Sequence, residues 1–236
     1  MFFTVFNSIK DRDLGIRCVK RPDIPYPEKE IEEIIIPGRN EPLTKIKETR
    51  NNMTIMVDYD FVDNANWQQI ARRVKKWLDE ILDNKLYLSD DLGIFYKVKY
   101  CTTDITRLKN IGQFTVNFIV SPNVWINEGT NEISLINTDG IYNEYLECNP
   151  TYVVEGEGLI TLIVNNIEVL IDVGQKVIVN TDLQQCYKED RLINLAIKQG
   201  KFEDLHFKNG YNKIGYKLGT GARLDNLLVI PNYRMR

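Results

Sequence analysis

Short runs that alternate apolar and polar residues recur along most of these 236 residues, while a single stretch carries helical spacing. A period of two with one oily face marks half-buried strands, so the pattern confines the chain to a mainly β architecture. Met53–Val62 shows it most cleanly. Ile55, Val57, Tyr59 and Phe61 share one face, and Thr54, Met56, Asp58 and Asp60 the other. Gly15–Lys20, Glu30–Ile36, Phe95–Cys101 and Phe114–Val120 are similarly rich in β-branched and aromatic residues. Met1–Phe6 reads as a first strand and not as a signal peptide, because no basic segment precedes it and Asn7, Lys10, Asp11 and Arg12 follow at once. No apolar run approaches the roughly 18–20 residues that would cross a bilayer, so a soluble, non-secreted chain without membrane insertion is expected.

The exception runs from Asn64 to Asp83. Trp67, Ile70, Val74, Trp77, Leu78, Ile81 and Leu82 fall on one helical face, with Arg72, Arg73, Lys75 and Lys76 opposite. Asp63 or Asn64 is placed to cap the first turn. Asp79, Glu80 and Asp83 crowd the end where the helix dipole favours cations.

The second half has its own texture. Leu159–Val164 and Ile167–Asp172 flank Asn165-Asn166, a two-residue hairpin turn that asparagine tolerates. Asn209-Gly210 repeats the signal between expected strands Phe202–Lys208 and Tyr211–Leu218. Lys176–Asn180, Leu192–Ala196 and Asp225–Ile230 complete an expected antiparallel β-sandwich of about 85 residues. Asn137–Pro150 reads as a linker. The expected division is therefore 1–136, a linker over 137–150, and 151–236.

Two proline-punctuated stretches interrupt the first domain, Pro22–Pro27 and Pro37–Pro42. Proline fixes φ and cannot donate to a sheet ladder, so both leave the sheet as arms or loops. Such segments hold one shape at low entropic cost, as a segment that touches a neighbour must.

Charge and reactive residues exclude several functions. The net charge is −3, and residues 146–236 hold 11 residues of each sign, so the acidic excess lies in the first 145. Neither half is a basic surface for phosphates, which argues against sequence-specific nucleic-acid binding. One histidine forbids any site built from two, and Cys18, Cys101, Cys148 and Cys186 form no C-x-x-C. The cysteines read as buried hydrophobes. Asp58, Asp60 and Asp63 read as a solvated strand face and a helix cap, and not as a metal cluster. Gly156-Glu157-Gly158 and Gly219-Thr220-Gly221 read as turn glycines, because no nucleotide-binding helix follows either. His206 is expected to face away from Leu205 and Phe207. A cysteine nucleophile would need it beside Cys148 or Cys186. No motif places an acid pair for glycoside hydrolysis. No catalytic residue, metal or cofactor is assigned.

The order of local segments resembles distal tail proteins, the tail-tip hub ring proteins of siphophages that infect Gram-positive bacteria. The resemblance rests on Gly15-Ile16-Arg17, Val19–Pro25, Ile36-Pro37-Gly38-Arg39-Asn40, Asn66-Trp67, Lys75–Leu78, Leu88–Asp91, Tyr96–Lys99, Ile111–Val116 and Ser121-Pro122. It continues through Gly156–Gly158, Val173–Gln175, Asn180–Asp182 and Val229–Asn232. It implies a tail-tube-like β-sandwich or barrel with one amphipathic helix, followed by a galectin-like antiparallel β-sandwich. It further implies a virion tail-tip protein made in the host cytoplasm that forms a homo-hexameric ring, alone or as two back-to-back rings. The implied partners are the tail tube protein, a tail-associated hub or fibre protein, and a receptor-binding protein docked on the second domain. Pro22, Pro25, Pro27, Pro37, Arg39, Asn40 and Pro42 are then the candidate subunit or tube contacts. The competing reading is a carbohydrate-binding module for host cell-wall saccharide. Its second half would have to offer aromatics such as Tyr152, Tyr187, Tyr211, Tyr216 and Tyr233.

Overall fold

The computed structural model describes residues 2–62, 66–108 and 111–236, and their side chains except at 104–108 and 111. The described chain forms two compact units, 1–124 with Arg236, and 125–235. In chain order the first elements are β1 (Thr4–Phe6), β2 (Ile9–Lys10), β3 (Ile16–Cys18), β4 (Lys29–Ile34), β5 (Leu43–Arg50) and β6 (Met53–Phe61). There follow α1 (Trp67–Asp79), β7 (Lys85–Leu88), β8 (Asp91–Leu108) and β9 (Ile111–Ile126).

One antiparallel sheet runs β2-β1-β7-β8-β9-β6-β3, and β4 and β5 form a separate two-stranded sheet. The alternation in β6 translates directly into burial: Ile55, Val57, Tyr59 and Phe61 are sealed, while Met56 stays exposed. Helix α1 lies on this apolar face through Ile70, Ala71, Val74, Trp77 and Leu78. The Trp77 ring stands edge-on to Phe6, Tyr59 and Phe118 at 5.5, 6.4 and 6.5 Å. Its indole N–H donates to the Phe6 carbonyl at 2.8 Å.

The helix is shorter than its periodicity suggests, ending at Asp79 and leaving Leu82 92% exposed. The acids at that end oppose continuation, and Asn7 supplies the alternative. From the tight turn joining β1 to β2, its carboxamide donates to the carbonyls of Trp77 and Glu80. It accepts the amides of Leu82 and Asp83, both at 2.7 Å. The expected caps Asp63 and Asn64 lie outside the described residues, and Asn66 precedes the first helical residue.

The second unit contains β10 (Ile133–Ser134), β11 (Gly140–Asn143), β12 (Thr151–Val164), β13 (Ile167–Asn180), β14 (Gln185–Lys188) and β15 (Arg191–Leu192). It closes with β16 (Ile197–Gln199), β17 (Gly210–Leu218), β18 (Arg223–Ile230) and β19 (Arg234–Met235). The hairpin expected around Asn165-Asn166 is present and extends to 14 paired positions between β12 and β13. Both asparagines take the positive φ its turn requires, 51° and 68°. On its other edge β12 pairs first with β18 and then with β17, and a bulge at Glu155/Gly156 precedes the exchange.

Four expectations differ from the structure here. Gly156 and Gly158 lie inside β12 and not in a turn. A side chain at Gly156 would press its Cβ to 2.1 Å from the Arg223 carbonyl oxygen. That obstacle is backbone and cannot rotate away. Gly156→Ala is therefore expected to destabilise the second unit by about 2–4 kcal/mol, read as a lower urea midpoint at unchanged slope. Residues 137–150, expected as a linker, include β11, which pairs with β17 and buries Ile141 and Asn143. Phe202–Leu205 is a short 3-10 helix and not a strand, because Asp204 folds back to accept the Lys201 amide at 2.8 Å. Leu192–Ala196 likewise breaks into β15 and a 3-10 turn, where Asn194 diverts its carboxamide to the Cys186 amide.

Candidate assembly surface

The β4–β5 hairpin is the least covered part of the first unit. Ile31 and Ile46 face each other across it, 59% and 61% exposed, and Ile34 pairs with Leu43 on the opposite face, 39% and 44% exposed. Beyond them Ile35 is 84% exposed. Soluble proteins rarely leave so many large apolar residues in water on both faces of one hairpin, and exposed two-stranded edges invite pairing with another chain. The tip is well defined. Arg39 N–H donates to the Ile36 carbonyl at 3.1 Å, with Pro37 and Gly38 between them and Gly38 at φ 86°. Proline then glycine at these positions is the chemistry of a type II turn.

The base is closed against its own lead-in. The Arg50 guanidinium donates to the Pro27 carbonyl at 2.6 Å and lies 5.3 Å from the Tyr26 ring centroid. The Asn51 N–H meets the Glu28 carbonyl at 2.9 Å. Glu30 accepts from Lys47 at 2.6 Å and from Thr49 at 2.7 Å, and these bonds hold its carboxyl below the usual carboxylate range. Pro37, Arg39, Asn40 and Pro42 thus come together, all exposed, at the tip. Pro22 and Pro25 sit on the irregular lead-in, and Pro27 is buried at the base. The prolines stand out in the sequence, whereas β5 and the exposure of the isoleucines in the expected strand Glu30–Ile36 do not. The signal was Ile34-Ile35-Ile36, three consecutive apolar residues that one strand cannot bury on one face.

Most of the candidate charged and reactive groups elsewhere are paired or buried, although Nε2 of His206 is buried without a partner among the described residues. Asp60 takes Arg17 in a two-pronged pair at 2.7 and 2.9 Å. Asp58 accepts the Thr115 hydroxyl at 2.7 Å and lies 3.4 Å from the Lys20 ammonium. Phe207 bridges to Cys148 through its backbone, and the imidazole of His206 turns to Glu147 at 3.4 Å. Burial pushes the thiols of Cys18, Cys101 and Cys148 up to about 12, and that of Cys186 to about 11. At pH 8 all four are expected to react with a disulfide reagent far more slowly than in urea, where a thiol titrates near 8.5. Rapid native labelling of any of them would contradict this burial. Of the aromatics available for stacking, Tyr152 is buried with its hydroxyl on the Leu205 carbonyl, whereas Tyr211 is open.

Comparison with solved structures places these features in a known architecture. The whole chain superimposes on SPP1 Dit, described as a paradigm of the hub adsorption apparatus in phages that infect Gram-positive bacteria. The TM-score is 0.60 at 13% identity, over 100% of this chain and 98% of that one. The chain has the Dit fold. This mainly β likeness agrees with the resemblance carried by the ordered segments of the sequence. No protein-family model matches the chain, and no curated protein sequence does.

Proposed function

We propose that this chain is a structural protein of a phage tail tip that assembles head-to-tail into a ring, with the β4–β5 hairpin as the subunit contact. The observation that carries the reading is a Dit fold bearing a hairpin whose isoleucines stay in water. A heterologous contact closes into a ring when its rotation divides the circle, and six copies are the number the sequence resemblance implies. The tip residues Pro37, Arg39, Asn40 and Pro42 then reach the neighbouring subunit or the tail tube, and Pro22, Pro25 and Pro27 stiffen the lead-in. The ring joins the tube to a hub or fibre protein, and the second unit carries a receptor-binding protein. In this reading the acidic excess of the first 145 residues disfavours adhesion to DNA passing the tail tip.

Sedimentation over a concentration series tests the contact. Replacing Arg39 and Asn40 together by alanine is expected to shift the association midpoint to higher concentration while the melting curve stays unchanged. An association curve indifferent to both residues contradicts the assigned contact.

A further inference from the structure

The first unit carries a second open surface, and its chemistry is the converse of the hairpin's. The C-terminal half of α1, the turn joining β1 to β2 and the 3-10 turn Asp11–Leu14 enclose a cleft of about 380 Å³. Ile9, Leu14, Trp77 and Leu82 give it apolar walls. Leu82 is more exposed than any other large apolar residue described. Its position is fixed by Asn7, whose carboxamide takes the amides of Leu82 and Asp83 and so holds this leucine off the helix. The rest of the rim is cationic. Arg73 donates to the Leu14 carbonyl at 3.2 Å and has no carboxylate partner among the described residues. Lys76 lies 3.7 Å from Glu80 in an exposed pair of the kind worth little in water.

The two faces of the β4–β5 hairpin differ in charge. On one, Glu30 binds Lys47 and Thr49, and Glu32 lies 3.9 Å from the same lysine, so that face is compensated within the hairpin. The face that bears Ile31 and Ile46 is not. Glu33, opposite Thr44, is two residues from Ile31 and shares its face. Because Lys47 and Thr49 both turn to Glu30, Glu48 is left on the side of Ile46. Both Glu33 and Glu48 are exposed, and neither has an ion pair among the described residues.

We propose that the Ile31/Ile46 face of one copy's hairpin seats in this cleft of the next copy, with Glu33 and Glu48 against Arg73 and Lys76. This contact rests on the assembly reading above and supplies its receiving half. Both surfaces stand open on the same chain, so each is free for a neighbour. Like cannot pair with like: two clefts would oppose Arg73 and Lys76 to their own copies, and two hairpins would oppose Glu33 and Glu48 to theirs. Hairpin into cleft is the complementary arrangement, and it is heterologous, as a ring requires.

Charge exchange in the full chain, followed by sedimentation velocity, tests the pairing. Arg73→Glu with Lys76→Glu, and separately Glu33→Lys with Glu48→Lys, should each weaken self-association by about tenfold or more. An equimolar mixture of the two variants should recover it, because every contact in an alternating ring is then complementary. The chain carrying all four changes should recover it too. Such recovery shows that the variants are folded, and a urea melt on each sample checks this directly. Assembly indifferent to Arg73 and Lys76, or no recovery in either the mixture or the four-fold variant, would overturn the proposal. Loss of binding to a tail-tube or hub protein, with self-association untouched, would assign the cleft to that protein and overturn it as well. A natural chain that never self-associates removes the assembly reading along with this contact. A chain that assembles through Ile31 and Ile46 yet ignores Arg73 and Lys76 removes this contact alone.

Discussion

Ile31→Glu with Ile46→Glu is expected to turn the proposed assembly into a folded monomer. The two residues face each other on the hairpin and are more than half exposed, so little of the core is lost when they change. The monomer's unfolding free energy should change by no more than about 1 kcal/mol, the repulsion of two carboxylates set opposite each other included. Association is different. Each isoleucine buried against a neighbour contributes about 1.5–3 kcal/mol, and a carboxylate in its place must be desolvated without a partner. Together these weaken the subunit contact by about a thousandfold or more. Sedimentation velocity and a urea melt on the same sample separate the two effects. Assembly at wild-type concentration would remove the hairpin from the interface, and a collapsed melt would show that its isoleucines belong to the fold.

The largest stability loss is expected at Trp77→Ala. The indole is buried against Phe6, Tyr59 and Phe118 and is the main apolar bond between α1 and the sheet. Truncating a buried tryptophan costs about 3–5 kcal/mol through lost transfer and the cavity left behind. The Phe6 carbonyl loses its donor as well. Trp77→Phe keeps much of the area and should cost about half as much. Because two units need not unfold together, amide exchange over β1 and α1 is the appropriate readout. Protection there should fall while β12 and β13 keep theirs. A loss below about 1 kcal/mol would mean the helix is held by something other than its tryptophan.

What could be read from the sequence follows from which interactions are local. The faces of β6, the apolar stripe of α1 and the turn at Asn165-Asn166 are periodicity and turn chemistry, and the structure carries each of them. The misreadings occur where a side chain captures backbone groups. Asn7 ends α1 from about 70 residues away, while Asp204 and Asn194 bond the amides of Lys201 and Cys186 nearby and convert expected strands into 3-10 turns. Gly156 resembles a turn glycine until Arg223 of another strand is seen beside it. The candidate assembly surface was half visible. Proline spacing marks the lead-in and the tip, but Leu43 and Ile46 of β5 do not alternate and its lysines and Glu48 have low strand propensity, so pairing with β4 is what makes it a strand.

Electron-microscopic class averages of the purified full chain, alone and with the proposed tail-tube and hub partners, decide whether it closes into a ring. Closed six-fold rings around an open lumen are expected, six copies of 27.5 kDa and about 165 kDa in all. Particles that remain single copies at every concentration, with and without those partners, would contradict it.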